Sequence, residues 1–317
     1  MELRRLRLLA ELRRRDTIAN VAQALDFSPS SVSVQLSELE REAGVALLIR
    51  VGRNVQLTAA GQRLADHAEQ ALAADEEVRA QLAAIQHHDV AGTVRVSFVQ
   101  TAALALLPTA MATLARTAPD LRIELVHRET VPGLDDVRAR ALDLSLGIDY
   151  DPVPPPTHRD LHRVDLIEED VMLAVPSRSP LSREPAVPLA ELRDSIWAAG
   201  PAGGGHSSVI EHLCSRVGRF SPDIRHRTDD ALILRALVSS GHAVTLLPAL
   251  IGTATPRVSL RPVDQVQLRR TIFTAVRTSS HQLPAVQAVR AALHESAQRA
   301  AADRFDVRIP STIPATT

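Results

Sequence analysis

The sequence predicts a small helical domain at the N-terminus, then one long helix, then a larger α/β domain. Three observations support this division. Leucine and valine recur at helical spacing up to Gly44. Residues 62–85 contain neither glycine nor proline, and from Gly92 onwards strand-like segments alternate with helical ones. A chain of 317 residues is long enough for two or three domains, so each part can have its own core.

Composition restricts the core and suggests where an anionic partner would bind. Hydrophobic residues make up 45% of the chain but aromatic residues only 2%, so the core must consist of Leu, Val, Ala and Ile. All 36 basic residues are arginine, and with 37 acidic residues the net charge is −1. Residues 1–63 contain ten arginines against seven acidic residues, whereas the remainder is acidic. This asymmetry favours an anionic partner at the N-terminal end.

Cys214 is the single cysteine, so a disulfide within the chain is impossible. We expect it to be a buried structural residue, because a redox-sensing thiol usually needs a resolving partner. The N-terminus has no secretory leader pattern, and no stretch of about 18 apolar residues could span a membrane. These features predict a cytoplasmic protein without a membrane partner.

The first 44 residues predict three helices joined by short turns. Leucines at every third position indicate a helix over 2–14, and a second helix is expected over 18–25. Ser28 is a good N-cap for a third helix, and Pro29 lies at its first position, where a missing N–H costs nothing. The third helix is expected to end at Glu42, before a glycine.

The third helix has an outer face of unusually small side chains. Val32, Leu36 and Leu39 share one stripe and must pack inward. Ser30, Ser33, Val34 and Ser37 lie on the opposite side. Small hydroxyls permit close approach to a duplex, and valine can touch a thymine methyl. This indicates a helix-turn-helix with its second helix in the DNA major groove, and the predicted DNA contacts are Ser28, Pro29, Ser30, Ser33, Val34 and Ser37. A small helical bundle with an ordinary polar face is the alternative.

A β-hairpin is predicted directly after the third helix. Apolar segments at 47–50 and 55–57 flank the letters VGRN, which favour a turn. Arg50 and Arg53 would lie near its tip, where they could contact phosphates or a minor groove. With this wing, residues 1–58 are predicted to form a winged helix-turn-helix domain.

A long linker helix is predicted over residues 59–90. Steps of four and three residues along this helix define a heptad seam, which is apolar except for Asp75. The seam consists of Leu64, Ala68, Ala71, Asp75, Val78, Leu82 and Ile85. So narrow an apolar seam predicts dimerisation along this helix, although it could instead lie on its own domain. The letters HHD at 87–89 do not indicate a metal site, because adjacent histidines on a helix point about 100° apart.

Residues 91–302 are predicted to form two α/β lobes. A βαβαβ pattern has strands at 93–99, 121–127 and 144–148 and helices at 104–119 and 134–142. A second set has strands at 171–175, 196–199, 224–228 and 243–247 and helices at 207–217 and 231–240. A strand over 268–277 and a final helix over 281–302 return to the first lobe. Lobe I would comprise 91–162 and 268–302, lobe II would comprise 163–267, and 303–317 would form a flexible tail.

Two α/β lobes joined by two crossing strands is the architecture of periplasmic-type solute-binding proteins. The crossings are expected near residues 163–165 and 267–270. A small-molecule effector should lie between the lobes, at the carboxyl ends of the parallel strands. The predicted contacts are Gln100, Thr101, Thr130, Asp149, Pro201, Gly203 and Thr228. The loop 200–208 could bind an anion or serve as a flexible connector, whereas Asp149 favours a cationic or hydroxylated effector, so the effector's charge stays open.

The segments MELRRLRLLAEL, TIANVAQALDFSPSSVSVQLSELEREAGVALLIR and GRNVQLTAAG resemble the DNA-binding domain of LysR-type transcriptional regulators over residues 1–63. The resemblance implies that Pro29, Ser30, Ser33, Val34 and Arg53 face DNA. Leu9 and Ile18 replace a frequent Phe, and Val34 replaces a frequent Arg or Gln, which puts one polar DNA contact in doubt. The segment VSSGHAVTLLP resembles a family segment of the effector domain, with His242 at a usual glycine position.

The predicted function is therefore that of an effector-responsive DNA-binding transcriptional regulator. It would bind a pseudo-palindromic operator as a homo-oligomer, with dimers joined through the linker helix, and the resemblance implies that two dimers form a tetramer. RNA polymerase is a further candidate partner, and no cofactor or metal is expected besides the effector. The alternatives are an enzyme and a purely architectural DNA-binding protein. The enzyme is disfavoured because the sequence has no G-x-S-x-G motif and no P-loop, and its twelve histidines are scattered along the chain.

Overall fold

The computed structural model describes residues 1–51, 54–85, 90–251, 256–302, 304 and 306–310. Its N-terminal domain consists of α1 (Leu3–Arg15), α2 (Ile18–Leu25), α3 (Pro29–Ala43), β1 (Leu48–Val51) and β2 (Asn54–Leu57). The two strands form an antiparallel hairpin. Each bound of these elements lies within one residue of the prediction. The caps agree as well, since the Ser28 hydroxyl accepts the Ser31 N–H at 3.2 Å and Gly44 ends α3 with φ +67°.

The linker helix α4 (Ala59–Ile85) belongs partly to the N-terminal domain. Ala65 and Ala68 are fully buried in one core with the inward stripe of α3 and the leucines of α1. The first half of the predicted seam therefore packs on its own domain. Farther along the helix, Val78 and Leu82 are 53% and 55% exposed, so this part of the seam has no partner within the described chain.

The rest of the chain forms two lobes. In chain order the elements are β3 (Gly92–Phe98), α5 (Gln100–Thr117), β4 (Leu121–His127), α6 (Thr130–Arg138), β5 (Leu144–Tyr150), β6 (Leu161–Pro176), β7 (Ile196–Ala199), α7 (Gly205–His212), β8 (Asp223–Arg227), α8 (Ala231–Ser240), β9 (Thr245–Pro248), β10 (Val258–Arg261), β11 (Arg269–Arg277), α9 (Pro284–Ala301) and β12 (Val307–Arg308). The main sheet has the order β10-β6-β11-β5-β3-β4, while β7 and β8 pair in parallel.

The long strand β6 connects the lobes, and it corrects the predicted position of the crossing. Residues 161–170 of β6 pair with β11 in lobe I, whereas residues 171–176 pair with β9 and β10 in lobe II. The lobes therefore divide near residue 170, not at 163–165. The sequence did not mark this point, because a strand that changes partners keeps its own alternation of side chains. The second crossing, at the start of β11, lies within the predicted range 267–270.

The predicted flexible tail is wrong for residues 307–308. They form β12, which pairs antiparallel with β6 at Glu168 and Glu169. Val307 is only 2% exposed, and its burial in the lobe core anchors the segment. Residues 311–317 lie outside the described part of the chain.

Two helices of lobe I begin four residues earlier than predicted. Helix α5 starts at Gln100 and α6 at Thr130, and neither has a side-chain cap that would mark its start in the sequence. As a result, the N-termini of both helices reach the ends of the preceding strands. No helix in the described ranges is long and apolar enough to cross a bilayer.

Gly61 in the first turn of α4 allows the linker helix to pack against the wing. A Cβ at this position would overlap the carbonyl oxygen of Leu47. We predict that Gly61→Ala destabilises the N-terminal domain by about 1–3 kcal/mol, because backbone cannot move aside as a flexible side chain would. Faster amide hydrogen exchange over residues 3–51 would report this loss.

The matched control for Gly61→Ala is Gln62→Ala, at the exposed neighbouring position of the same helix. It should leave the exchange of residues 3–51 unchanged, since surface substitutions usually stay within about 0.5 kcal/mol. Equal exchange in the two variants would contradict the close approach of Leu47 and Gly61.

Candidate functional site

The outer face of α3 is exposed and built from small side chains. Ser30, Ser33, Val34 and Ser37 all lie on the surface, and Val34 is 59% exposed. On the opposite side, Val32, Leu36 and Leu39 are at most 1% exposed. The predicted division of the helix into two faces is confirmed. Ser28 and Pro29 are also exposed, although the Ser28 hydroxyl is already engaged as the N-cap.

Polar contacts fix α3 against α1 and the wing. The Arg5 guanidinium donates to Gln35 at 3.1 Å and pairs with Glu42. At the other end, the Glu40 carboxylate accepts the N–H groups of Leu47 and Leu48 at 2.8 and 3.0 Å. The outer face of α3 and the wing therefore keep a fixed relative position.

The wing carries one of the two predicted arginines in the described structure. Arg50 is exposed on β1, opposite Val55. Arg53 lies outside the described residues. A duplex that receives α3 in its major groove, about 12 Å wide, would bring phosphates towards such a wing. The N-terminal domain is thus a winged helix-turn-helix suited to DNA.

A second candidate site is the cleft between the lobes. One cavity lies between α6, the proline-rich segment 153–156 and the loop 201–205. A smaller, narrow cavity adjoins it and extends to β9 and β11. Both include the carboxyl ends of strands from each lobe, where a ligand was expected.

The floor of this cleft is an ion pair between the two crossing strands. Glu169 on β6 and Arg270 on β11 are 0% and 1% exposed, and their closest atoms, Oε1 and Nη2, are 2.7 Å apart. Arg270 also donates to the Thr101 hydroxyl at 2.8 Å, while Glu169 accepts the Leu250 N–H at 2.7 Å. Burial opposes the charge of Arg270, but Glu169 and Tyr150 outweigh it and raise the pKa of Arg270. The pair therefore links both lobes.

Three polar groups meet at one side of the cleft. Ligand atoms of His127, Glu129 and Asp229 all lie within 4.8 Å of one another. Glu129 precedes α6 in lobe I, and Asp229 follows β8 in lobe II. Burial and the nearby Asp229 carboxylate raise the pKa of Glu129. Two carboxylates from different lobes thus face each other across the cleft.

His206 fixes the glycine-rich loop that forms one wall. Its Nδ1 accepts the Gly200 N–H at 2.9 Å, so the proton lies on Nε2, which donates to the Leu246 carbonyl at 3.0 Å. Burial lowers the pKa of His206 to about 4. The neutral ring ties the loop to β9, which argues against a loosely held connector.

Five of the seven predicted effector contacts line the cavities, namely Thr101, Thr130, Pro201, Gly203 and Thr228. Gln100 does not, because its side-chain oxygen accepts the Ala231 N–H at 2.8 Å and bridges the lobes. Asp149 does not either. It points away from the face that carries Ile148 and Tyr150, and it pairs with Arg163 at 2.7 Å. The roles of all seven residues as ligand contacts remain predictions.

The predicted effector contacts do not include five polar residues that line the smaller cavity, namely Glu129, Tyr150, His206, Asp229 and Arg270. Glu129 and Asp229 lie at strand ends, a position that the sequence did identify. Arg270 had no local signal, because it comes from a strand far along the chain, 169 residues after Thr101. Its place in the cleft follows from the pairing of β6 with β11.

Helix α6 joins the cleft to the N-terminal domain. Its N-terminus lines the larger cavity. At its C-terminal end and just beyond, the carbonyls of Arg138 and Arg140 accept hydrogen bonds from Arg14 and Arg7 of α1. The cleft and helix α1 of the N-terminal domain therefore contact opposite ends of one short helix.

A buried arginine secures the same end of α6 to the linker helix. Arg277 donates to the carbonyls of Val137 and Leu142, each at 2.7 Å, and its Nη2 lies 2.6 Å from the Glu76 carboxylate of α4. Burial opposes ionisation of Glu76, but the hydrogen bond and charge of Arg277 outweigh it and lower the pKa of Glu76. The linker helix is thus held to lobe I by a charged contact.

A winged helix-turn-helix joined by a linker helix to a two-lobed cleft defines a ligand-responsive DNA-binding regulator. The chain matches the family "Bacterial regulatory helix-turn-helix protein, lysR family" over residues 3–62 and "LysR substrate binding domain" over residues 87–298. It belongs to the LysR-type transcriptional regulators, with a DNA-binding domain and an effector-binding domain. This family consists of transcriptional regulators and not of enzymes.

Characterised relatives and solved structures are similar over nearly the whole chain. The transcriptional dual regulator GltC of Bacillus subtilis is 30% identical, covering 86% of this chain and 89% of GltC. AlsR, an HTH-type transcriptional regulator of the same organism, is 28% identical over 89% of this chain and 92% of its own. A full-length OxyR variant from Pseudomonas aeruginosa has a TM-score of 0.63 at 22% identity, covering 92% of this chain and 94% of OxyR. Full-length CbnR in complex with its target DNA has a TM-score of 0.51 at 23% identity, covering 94% of this chain and all of CbnR.

The single cysteine, Cys214, is a structural residue of lobe II. Cys214 lies fully buried in the π-helical turn that follows α7. Burial raises the pKa of its thiol to about 12, which keeps it protonated. The expectation of a buried Cys214 is confirmed, and buried thiols of this kind are chemically inert.

We predict that Ser33→Glu abolishes specific DNA binding while the fold is retained. Ser33 is exposed at the centre of the outer face of α3, so the side chain has room in the free protein. Against DNA it would place a carboxylate among phosphates and base edges. Fluorescence anisotropy with labelled duplex from the DNA beside the gene measures the loss.

The matched control is Ser221→Glu, the same substitution at an exposed loop position of lobe II. It should bind the duplex as tightly as the unaltered protein and with the same dependence on salt. If Ser33→Glu keeps its preference for that duplex over random competitor, α3 is not the recognition helix.

The His206 contacts predict a pH-dependent stability of lobe II. The pKa of His206 is about 4 in the fold, against about 6.5 in an unfolded chain. The unfolded state thus binds more protons between these values. Stability is complete above pH ~6.5 and is lost as the pH falls towards 4. Thermal unfolding followed by the single, buried Trp197 of lobe II measures this loss.

His206→Gln should flatten this pH dependence, because it removes the titrating group. His242→Gln, at an exposed histidine of lobe II, is the control and should retain the dependence of the unaltered protein. Parallel curves for the two variants would show that His206 is not the group responsible.

Proposed function

We propose that this regulator binds a pseudo-palindromic operator as a homo-oligomer. We further propose that an effector in the cleft alters DNA binding through α6. The observation that carries the proposal is the position of α6, with the cavity at its N-terminus and the α1 and α4 contacts at its C-terminus. A bacterial regulator of this family acts on chromosomal DNA, so we propose that the protein is cytoplasmic. RNA polymerase is a further proposed partner.

On DNA, the outer face of α3 would enter the major groove, with Ser33 and Val34 nearest the bases. A dimer would place two such helices about 34–36 Å apart, one turn of the duplex. Val34 offers a methyl contact in place of a polar one, so we propose a preference for thymine at that point of each half-site.

Self-association would use the apolar side chains that the described chain leaves uncovered. On α4 these are Val78 and Leu82, each about half exposed. Further exposed apolar residues lie on α5 of lobe I and α8 of lobe II, namely Leu104, Met111, Leu232 and Ile233. Two separate apolar surfaces would allow dimers to pair into a tetramer.

An effector can act only if it binds two conformations with different affinity. Glu129 at the start of α6 and Asp229 in lobe II face each other, so a ligand between them would favour one spacing of the lobes. A movement of α6 would then reach α1 through Arg7 and Arg14 and reach α4 through Arg277. The contact between Glu76 and Arg277 links α6 to α4, and a single substitution of Glu76 can remove it.

The coupling can be tested with DNA alone, because a coupling free energy between two binding sites is reciprocal. Saturating the protein with its duplex should change amide hydrogen exchange at residues 129–138, about α6. Glu76→Gln should reduce that change while DNA affinity persists, because the recognition helix is untouched. Hydrogen exchange with mass spectrometry, with and without DNA, gives both readouts.

Glu77→Gln is the matched control, since Glu77 is the neighbour of Glu76 on the same helix and makes no side-chain contact with Arg277 in the described structure. It should respond to DNA as the unaltered protein does. Unchanged exchange at residues 129–138 in the unaltered protein on DNA binding would refute coupling through α6.

A further inference from the structure

The charged groups of the cleft leave it with an excess of negative charge. Among the described lining residues, Arg270 is the one permanent cation. Its charge is matched by the buried Glu169, which neighbours it across the β6–β11 pairing. Its Nη1 is bonded to the Thr101 hydroxyl. An anionic ligand would therefore have to compete with an existing buried ion pair.

The remaining charged groups of the lining are the two carboxylates of Glu129 and Asp229. Glu129 accepts no hydrogen bond from a described side chain, and Asp229 has a distant contact of 4.0 Å with His127. The ring of His206 adds no positive charge, because both of its nitrogens are engaged with backbone groups. Two carboxylates from opposite lobes are thus held close together, with the exposed His127 imidazole beside them.

Besides Thr101, Tyr150 and Thr228, the rest of the smaller cavity has a mainly apolar lining. Val99, Ile148, Leu234, Leu246, Leu247 and Pro248 contribute to its walls. Such a surface favours a hydrocarbon group. It offers no oxygen ligands, which a metal ion needs around it. The combination fits an organic cation better than a metal ion.

We propose that the effector of this regulator carries a protonated amine on an apolar body, with the ammonium group between Glu129 and Asp229 and the body against the apolar wall. The inference rests on the proposed function, in which the cleft is the effector site. An ammonium group has three donors, enough for one bond to each carboxylate and one to a neighbouring oxygen. Because one carboxylate comes from each lobe, the same group that is recognised also draws the lobes together.

The experiment compares ligands that share a body and differ in charge. The probes are phenethylamine, 3-phenylpropionate and phenethyl alcohol, with hexylamine, hexanoate and hexanol as an aliphatic set. Thermal unfolding of the full chain is followed by Trp197 fluorescence up to millimolar concentrations. We expect an amine to raise the midpoint in a dose-dependent way, while its carboxylate and alcohol counterparts do not.

Glu129→Gln and Asp229→Asn should each lower the affinity for the amine by about tenfold or more, because each removes one negative charge from the contact. Glu124→Gln is the matched control. Glu124 lies on β4 and pairs with Arg95 outside the cavity lining, so this variant should bind the amine normally.

Three results would overturn the proposal. The first is stabilisation by a carboxylate and not by its amine. The second is no response to any amine in the panel. The third is stabilisation by manganese or zinc chloride that disappears in Glu129→Gln, which would identify a metal site instead.

The two proposals fail separately. If a carboxylate stabilises the protein and also changes its DNA footprint, the proposed function stands and the amine class is wrong. If an amine binds through Glu129 and Asp229 but leaves the footprint unchanged, the amine class stands and the cleft is not the regulatory site.

Discussion

The ion pair between Glu169 and Arg270 determines the organisation of the effector domain. Both residues are almost fully buried, on the two strands that pass between the lobes. Buried charges are tolerated when each is paired and hydrogen-bonded, and removal of one partner of such a pair typically costs about 3–5 kcal/mol. This requirement holds Thr101 of lobe I and Leu250 of lobe II at the same point. The pair thus sets the hinge, and it also forms the floor of the cleft.

Under the proposed amine recognition, the same pair explains why the cleft would differ from a general anion site. Helix N-termini and glycine-rich loops usually favour negative ligands, and α6 and α7 both begin at the cavity. Here the arginine that would complete such a site is occupied by a glutamate of the protein itself. In that proposal, the carboxylates that remain, Glu129 and Asp229, would decide the charge that the cleft accepts. Fold likeness to other family members carries no information on this point, because it depends on individual side chains.

Charged contacts also hold the two functional regions together. Arg7, Arg14 and Arg277 all donate to backbone carbonyls near the end of α6, and Glu76 accepts from Arg277. Arg277 is buried, so removing its partner Glu76 would leave a poorly compensated charge. The contact therefore holds the linker helix firmly to the end of α6. Apolar burial, in contrast, is concentrated in the separate cores of the N-terminal domain and the lobes.

The sequence by itself determined the N-terminal domain, where local rules are strong. Caps at Ser28 and Gly44 and the inward stripe of α3 fixed each element to within one residue, because helix periodicity and capping act over neighbouring positions. It also located the edge at which the effector cleft forms, since strand ends are visible in the pattern. Only the tertiary structure decided the hinge near residue 170, the pairing of β12 and the place of Arg270. Each depends on hydrogen bonds between strands far apart in the chain, and the side-chain alternation of one strand does not specify its partner.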